Sequence, residues 1–376
     1  MKHSMQTLLT DHFATYRAQH GVSLPQLKAV ARLQLCRTGA LGAHVQCCPH
    51  GHIQGVWYNS CKHRSCPQCC ALPQERWLLR VRSVLLDCPH HHMIFTLPAE
   101  LHPLWRFNRE RLAELLFTAV HRTLGAFSAD PKYLAAMPGV MSCLHTWGRD
   151  LSLHPHLHCL LTHGGLNEAG DWIAPRKAVL FPQKPLMMVY RGKLLAALRR
   201  ALLADELALP PGQSSQQCLN LCNQLGRKEW VVHCCQRYEH AAGVAKYLAR
   251  YIKGGPLRNS QLLSVSKSQL RFRYQSHRTH TSAVAELSME TFLQRWLEHV
   301  PTPGKASIRY LGLYSSGGRR KLNLARQYFG QTPVNLPQLL GWQQYIARNW
   351  PASAICKACG AKLEHGSQVL PVRAAQ

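Results

Sequence analysis

The stretch LSLHPHLHCLLTHGG, residues 151–165, places three histidines at alternate positions inside an apolar segment. Alternate residues of a β-strand point to the same face, so we predict that His154, His156 and His158 project into one pocket. Imidazole nitrogens gathered at one point suit a divalent metal ion. The sequence therefore predicts a strand that carries a metal site, with a half-exposed strand whose histidines face water as the alternative.

The composition of the chain favours a globular protein that binds a polyanion. Its 376 residues are 46% hydrophobic, enough for two or three domains with cores of their own. Lysine and arginine total 45 against 18 aspartates and glutamates, a formal charge of +27 spread along the chain. Nucleic acid is the expected partner. A membrane is not expected, because no apolar run reaches the ~18 residues that span a bilayer.

The N-terminus and the 16 cysteines indicate a reducing compartment. The first residues, MKHSMQTLLTDHFATY, lack the continuous apolar core of a secretory signal, so we expect a cytoplasmic protein. Clustered cysteines in that compartment bind metal ions more often than they form disulfides.

A cysteine-rich segment, HVQCCPHGHIQGVWYNSCKHRSCPQCC at residues 44–70, predicts a structural zinc site. Cys61, Cys66 and Cys69 have zinc-ligand spacing. The upstream ligands stay open among three candidates: Cys47, Cys48 and His50. Because four protein ligands leave no open coordination position, this zinc ion would organise a module that contacts DNA. Reduced cysteines in a loop are the alternative.

A second C-x-x-C pair lies near the C-terminus, in ICKACGAKL. Cys356 and Cys359 make half of a possible second zinc site, which needs two more ligands. His365, Cys218 with Cys222, or a second protomer are the candidates, and the sequence does not decide between them.

The segment GVAKYLARYIKGG, residues 243–255, carries the candidate catalytic nucleophiles. Tyr247 and Tyr251 are four residues apart, a spacing that puts both phenols on one face of a helix. A phenol has a pKa near 10 and is a poor nucleophile at neutral pH, so nearby cations would help it. Packing of both rings against a core is the alternative. The basic side chains here and in the zinc segment are the predicted DNA contacts: Lys62, Arg64, Arg76, Lys246, Arg250 and Lys253.

Together the histidines and the tyrosines predict a metal-dependent DNA strand transferase. In this interpretation His156 and His158, with His154 as the expected third ligand, hold Mg²⁺ or Mn²⁺ and activate a phosphodiester toward a tyrosine. Attack by a phenol conserves the energy of the broken bond in a phosphotyrosine link, so a strand can be cut, held and rejoined without ATP.

Alternating strand and helix patterns favour an α+β or α/β protein built on one mixed or antiparallel sheet. Besides the histidine segment, strands are predicted at residues 93–97, 140–147, 229–235, 262–265 and 270–274. Helices are predicted at residues 8–20, 24–35, 73–86, 101–127, 187–207 and 241–252. The predicted division is a helical segment at 1–35, a zinc-binding DNA-contact domain at 36–88, a catalytic domain at 89–285 with a helical insertion at about 172–225, and a C-terminal accessory region at 286–376.

With these motifs in place, the chain resembles the zinc-binding rolling-circle transposases of bacterial insertion sequences, the two-tyrosine branch of the HUH nucleases. More narrowly, it resembles the family of insertion sequence ninety-one and its common-region relatives. The matching stretches, in the family's order, are CRTGALGAH (36–44), SCKHRSCPQC (60–69), HTWGRDLSLHPHLHCLLTHGG (145–165), EWVVH (229–233), YLARY (247–251) and RYLGLYSS (309–316). The combination of HPHLH and YLARY with an upstream SCxxRxCPxC is highly specific.

The resemblance implies a ferredoxin-like HUH nuclease domain, an antiparallel sheet with helices, preceded by a small zinc-ribbon-like domain. It implies cleavage of single-stranded or hairpin DNA at element ends, with a tyrosine linked to the 5′ phosphate and a free 3′ hydroxyl. The second tyrosine would accept or rejoin a strand, and we expect Tyr251 to act first. It also implies a bacterial, nucleoid-associated protein, monomeric or dimeric. The chain departs from the family at residues 47–50, where a C-x-x-C pair is usual, and after YLARY, where a basic run is reduced to IKGG.

Three other functions remain open at this stage. A plasmid or phage replication initiator or a relaxase would use the same nuclease chemistry, but the cysteine-rich module and the absence of a GxxxxGK[ST] loop disfavour it. A non-catalytic zinc-dependent DNA-binding regulator would leave the histidines and tyrosines without a role. A three-histidine zinc hydrolase would need a buried general base and would not need the charge of +27.

Overall fold

The computed structural model describes residues 3–175, 177–239, 243, 245, 249, 254–276, 279 and 281–371. The α-helices described over their full length are α1 (Met5–Gln19), α2 (Leu24–Gln34), α3 (Ala71–Val84), α4 (His102–Phe107), α5 (Arg109–Ala129), α6 (Gln183–Leu203), α7 (Ser215–Leu225), α8 (Met289–Glu298), α9 (Arg319–Tyr328) and α10 (Trp342–Asn349). The strands are β1 (Ala43–Cys47), β2 (Ile53–Tyr58), β3 (His90–Thr96), β4 (Gly139–Trp147), β5 (Leu153–Thr162), β6 (Gly165–Leu166), β7 (Trp172–Ile173), β8 (Val232–Tyr238), β9 (Leu262–Val265), β10 (Gln269–Gln275), β11 (Ser282–Ser288), β12 (Ile308–Gly312) and β13 (Glu364–Val369).

A five-stranded antiparallel sheet, in the order β12-β4-β5-β3-β8, carries the histidine segment on its middle strand. The sequence explains this position, because β5 is apolar on both faces around its histidines and is buried over almost its whole length. The predicted α+β class with an antiparallel sheet is confirmed.

The two faces of the central sheet are covered by different helices. Leu157, Cys159 and Leu161 of β5 pack in one core with α5, α6 and α7. Leu160 lies in a second core with apolar residues of α3 and α9. Because strand side chains alternate between faces, His156 and His158 share the face of Leu160. The histidines therefore lie on the face toward α3 and α9.

A third core brings the N-terminal helices together with residues 257–300. The helices α1 and α2 pack with α8 and with the antiparallel sheet β11-β10-β9. Near the C-terminus, β13 pairs with β1, and β12 is an edge strand of the central sheet. Elements of residues 286–376, the predicted accessory region, therefore take part in three separate parts of the fold.

Most predicted elements are present with shifted ends. The strand at residues 262–265 is β9 as predicted, and α2 begins with Pro25 in its first turn. The helix predicted at residues 101–127 is divided at Asn108, whose amide nitrogen donates to the carbonyls of Leu104 and Ala208. None of the helices in the described ranges is long and apolar enough to cross a bilayer.

Candidate active site and zinc centres

Three histidine side chains converge on one face of the central sheet. His156 and His158 stand two residues apart on β5, and His145 of β4 pairs with His156. One ring nitrogen of each lies within 4.8 Å of those of the other two, and the Nε2 atoms of His156 and His158 are 3.0 Å apart. All three side chains are buried. The antiparallel pairing of β4 with β5 therefore builds a compact set of imidazole donors.

Hydrogen bonds orient two of these rings. The Nδ1 atom of His156 lies 2.6 Å from the carbonyl oxygen of His154, so Nδ1 donates a proton and Nε2 keeps its lone pair. The Nδ1 atom of His158 lies 2.7 Å from Nε2 of His92 on β3. Imidazole ligands of metal ions are usually held through their second nitrogen in this way. The donor set therefore fits a divalent cation.

Burial favours the neutral form of two of these imidazoles. Loss of water contact, with repulsion from neighbouring histidines as a smaller cause, puts the pKa of His145 and the pKa of His158 well below the usual histidine value. Burial also lowers the pKa of His92 to about 4. Neutral imidazole is the form that binds a metal ion, so the lowered pKa of His145 and of His158 favours metal binding.

The expected third ligand, His154, is not one of the three converging donors. Its ring centroid is 4.8 Å from that of His156, but it is the backbone carbonyl of His154 that contacts the His156 ring. His145 pairs with His156 while Trp147 pairs with Leu153, so the one residue between them on β4 faces two residues, His154 and Pro155, on β5. Such a bulge redirects the side chains beside it. The structure places His145 where the sequence led us to expect His154.

The candidate nucleophiles Tyr247 and Tyr251 lie outside the described residues, as do Lys246, Arg250 and Lys253.

Two alanines of the tyrosine segment are described. Ala245 and Ala249 are helical and buried. Ala245 packs in the same core as Leu160, which follows His158 in phase on β5. This alanine therefore lies against the sheet face that carries the three histidines.

The last two residues of the tyrosine segment, Gly254 and Gly255, contact the zinc segment. The N–H of Gly254 donates to the carbonyl of Arg64 at 2.6 Å. A Cβ atom at Gly255 would lie 2.6 Å from the carbonyl oxygen of Ser65, so only glycine allows the two backbones to come this close.

Four cysteines form a buried group in the N-terminal part of the chain. The predicted ligands Cys61, Cys66 and Cys69 are joined by Cys36, which sequence reasoning missed. The Sγ atoms of Cys61 and Cys69 are 3.7 Å apart, and those of Cys36 and Cys66 are 3.6 Å apart. With Zn–S bonds of about 2.3 Å, the edges of a tetrahedral Zn–S₄ site measure about 3.8 Å. The four thiols therefore fit one zinc ion.

None of the upstream zinc-ligand candidates, Cys47, Cys48 and His50, belongs to the four-cysteine group. Cys48 lies with His52, Cys356 and Cys359 in a second group, which shares no residue with the four-cysteine group. Cys47 belongs to neither group, and its Sγ atom lies against the backbone of β13.

The proposed partners of the C-terminal pair also differ from the group observed. Cys218 and Cys222 are buried in the helical core of α7, away from the C-terminal pair. His365 lies on β13, where its backbone pairs with Gln46 of β1.

The predicted DNA contacts that the structure describes differ in exposure. Lys62 is exposed, whereas Arg64 and Arg76 are half-buried. The Nε atom of Arg76 donates to the carbonyl of Leu340 at 2.7 Å, so this arginine holds the C-terminal segment. Arg64 lines a cavity of about 370 Å³.

Comparisons with known proteins identify the family. Residues 8–97 match a family model described as "Transposase zinc-binding domain", of the IS91 type, and residues 139–321 match one described as "Putative transposase". The chain is 33% identical over 328 residues to "Putative transposase y4qJ" of Sinorhizobium fredii, an alignment that covers 84% of this chain and 82% of that protein. The chain belongs to the IS91 family of insertion-sequence transposases. It is also 31% identical over 306 residues to the transposase for insertion sequence element IS801 of Pseudomonas savastanoi pv. phaseolicola, covering 77% of this chain and 70% of that one.

Among solved structures, the conjugative relaxase TrwC in complex with oriT DNA aligns with 42% of this transposase and 72% of the relaxase chain. The identity is 14% and the TM-score 0.24, a similarity too low to bear on the transposase.

The two family models divide the candidate sites of the transposase between them. The zinc-binding model includes all four members of the first cysteine group, and the second model includes the three histidines and residues 247–251. Neither model reaches Cys356 and Cys359.

Proposed function

We propose that this transposase cleaves and rejoins single-stranded DNA at the ends of its element through a 5′-phosphotyrosine intermediate, as in rolling-circle transposition. The observation that carries the proposal is the convergence of His145, His156 and His158 on one face of the central sheet. Their position within an α+β fold supports an HUH-type nuclease domain.

The three imidazoles would hold Mg²⁺ or Mn²⁺. When bound, such an ion polarises a phosphoryl oxygen of the scissile phosphate and offsets the charge that develops in the transition state. The hydrogen bond from His156 Nδ1 to the His154 carbonyl aims Nε2 at the site, and His92 orients the ring of His158. His145 replaces His154 in our ligand assignment, because its nitrogen is one of the three that converge.

The nucleophile would be Tyr247 or Tyr251. The phenolic oxygen attacks phosphorus and loses its proton, the P–O3′ bond breaks, and the 3′ oxygen leaves as a hydroxyl after taking up a proton. Rejoining reverses this step, because a 3′ hydroxyl attacks the phosphotyrosine and releases the phenol. The burial of Ala245 in the same core as Leu160 supports this assignment, since it brings a neighbouring residue of the same segment to the histidine face.

The zinc-binding domain would position both DNA and the nucleophile. Lys62 is exposed and available for phosphate contact, and the carbonyl of Arg64 accepts from the N–H of Gly254 at the end of the tyrosine segment. We assign the four-cysteine zinc site a structural role, because four protein ligands leave no position for substrate. Binding to the nucleoid would follow from the charge of +27.

A covalent-adduct assay tests the proposal. The transposase is incubated with Mn²⁺ and labelled single-stranded DNA from both element ends, then separated under denaturing conditions. We expect a labelled protein band, loss of that band with EDTA, and its absence in the Tyr247→Phe/Tyr251→Phe double variant, which should still bind DNA. The single variants identify the tyrosine that acts first. An adduct that persists in the double variant would remove both tyrosines from the mechanism.

A further inference from the structure

The second cysteine group joins two parts of the chain that are about three hundred residues apart in sequence. Cys48 and His52 lie in the turn between β1 and β2, and Cys356 and Cys359 lie in the turn that precedes β13. Cys48 and Cys356 are buried, whereas His52 and Cys359 are exposed. The group is separate from the histidine site and from the four-cysteine site.

The distances within this group are those of a tetrahedral zinc site. The Sγ atoms of Cys48 and Cys359 are 3.6 Å apart, and Nδ1 of His52 lies 3.3 Å from the Sγ of Cys48 and 3.8 Å from the Sγ of Cys356. With Zn–S of about 2.3 Å and Zn–N of about 2.05 Å, tetrahedral edges measure about 3.8 Å between sulfurs and about 3.6 Å between sulfur and nitrogen. One zinc ion therefore fits among the four donors.

The backbone holds the four donors on two similar turns. In the first turn the N–H of Gly51 donates to the carbonyl of Cys48 at 2.9 Å, and the N–H of Cys48 donates to the carbonyl of His52 at 3.1 Å. In the second turn the N–H of Gly360 donates to the carbonyl of Cys356 at 2.9 Å. Each turn presents a cysteine at its start and a second donor three or four residues later, so the donors are positioned by rigid turns.

His50 is the competing nitrogen ligand. Its Nδ1 atom lies 3.3 Å from the Sγ of Cys359, but the ring of His52 contacts the sulfurs of two cysteines, Cys48 and Cys356. We therefore assign the fourth position to His52.

The surrounding contacts show what the ion would fasten. The ring of Trp342 packs on that of Trp57, with centroids 4.6 Å apart, and Arg76 donates to the carbonyl of Leu340. The strand β13 pairs with β1 along its length. Residues 340–369 thus cover the sheet of the N-terminal zinc-binding domain, yet they lie outside the residues that its family model matches.

We propose that Cys48, His52, Cys356 and Cys359 bind a second structural zinc ion, which fastens residues 340–369 to the N-terminal domain. The zinc-binding domain of this transposase is then built from both ends of the chain and holds two ions. This inference does not depend on the tyrosine chemistry, because the group shares no residue with the histidine site.

Thiol alkylation of the full-length wild-type protein gives the first test. Cys359 is exposed, so a free thiol at this position would react quickly with iodoacetamide, whereas a zinc-bound thiolate is protected. Peptide mass spectrometry should find Cys359 unmodified in the untreated protein and modified after a strong chelator is added. Equal modification of Cys359 with and without chelator would overturn the proposal, and this readout requires no variant to fold.

Zinc content measured by plasma mass spectrometry gives the second test. We expect Cys356→Ser and His52→Gln to contain one zinc ion fewer per chain than the wild type, and Cys356→His to keep it, since histidine supplies a replacement ligand. Cys47→Ser is the matched control, because Cys47 adjoins Cys48 but lies outside the group, and it should keep the wild-type zinc content. Unchanged zinc in Cys356→Ser, or loss of an ion in Cys47→Ser, would contradict the assignment. Loss of zinc in His50→Gln but not in His52→Gln would overturn the assigned fourth ligand.

Discussion

Two buried histidines outside the candidate metal site should make the transposase unstable in mild acid. Burial lowers the pKa of His90 and the pKa of His299 to about 4. In His90, Nδ1 donates to the carbonyl of Cys88 at 2.8 Å, and Nε2 accepts from the hydroxyl of Tyr314 at 2.6 Å. In His299, Nε2 donates to the carbonyl of Leu151 at 3.0 Å. Both side chains are therefore held neutral.

The size of the effect follows from the difference between folded and unfolded pKa. An unfolded histidine has a pKa of about 6.5, so between pH 6.5 and pH 4 the unfolded chain binds more protons than the folded one, and stability falls as pH falls. At pH 5.5 each of these histidines contributes about 1.4 kcal/mol less to the free energy of unfolding than it does at pH 7.5. The pair together accounts for about 3 kcal/mol. This is a large share of the 5–15 kcal/mol that is typical of a folded domain.

Urea denaturation at pH 7.5 and pH 5.5, followed by tryptophan fluorescence, measures this difference. His299→Gln keeps an N–H donor for the Leu151 carbonyl but does not titrate, so the loss of stability between the two pH values should shrink by about 1.4 kcal/mol. His233→Gln is the control, because His233 is exposed, and it should match the wild type. Any acid release of zinc affects all three proteins alike. The same pH dependence in His299→Gln as in the wild type would refute the reasoning.

Two further predictions concern the candidate active site. His145→Ala should weaken Mn²⁺ binding, measured by calorimetry, by about 100-fold or more, because the loss of a group that only orients a ligand already costs about 10- to 100-fold. His154→Ala should have a much smaller effect. Equal losses of affinity in the two variants would contradict the assignment of His145. Gly255→Ala should destabilise the protein by at least about 1–2 kcal/mol, because Gly255 has φ +71° and its added Cβ would meet the Ser65 carbonyl, and it should reduce DNA adduct formation. Gly212, at φ +76° with open space around it, provides the control, because Gly212→Ala should lower stability without reducing adduct formation. Equal adduct yields in Gly255→Ala and Gly212→Ala would show that the contact between Gly255 and Ser65 has no role in catalysis.

The elements of the central sheet could be predicted from the sequence because their patterns are local. The apolar run around the histidines gave β5 and the placement of His156 and His158 on one face. The contacts of residues 286–376 could not be predicted, for the opposite reason. The pairing of β12 with β4 and of β13 with β1 depends on contacts between distant segments, and short strands carry no local signal of their partner.

The ligand sets show the same limit. His145 becomes a candidate ligand only because of the register of β4 against β5. That register includes a one-residue bulge, which the local sequence does not predict. Cys36 follows α2 and stands twenty-five residues before Cys61. Its spacing resembles no standard knuckle, and tertiary packing brings it to the other three thiols. In each case the residue types and part of the candidate ligand set could be recognised in the sequence, but the last ligand could be identified only from the fold.

Electron–nuclear double resonance on bound Mn²⁺ tests most directly whether the imidazole cluster presents a DNA phosphate to the tyrosines. The Tyr247→Phe/Tyr251→Phe double variant, loaded with Mn²⁺ and single-stranded DNA spanning an element end, keeps the strand uncut. We expect nitrogen couplings from the histidines together with a phosphorus coupling that appears only when DNA is added, both lost when His156 and His158 are replaced by alanine. Histidine nitrogen couplings without any phosphorus coupling from the bound DNA would contradict the claim.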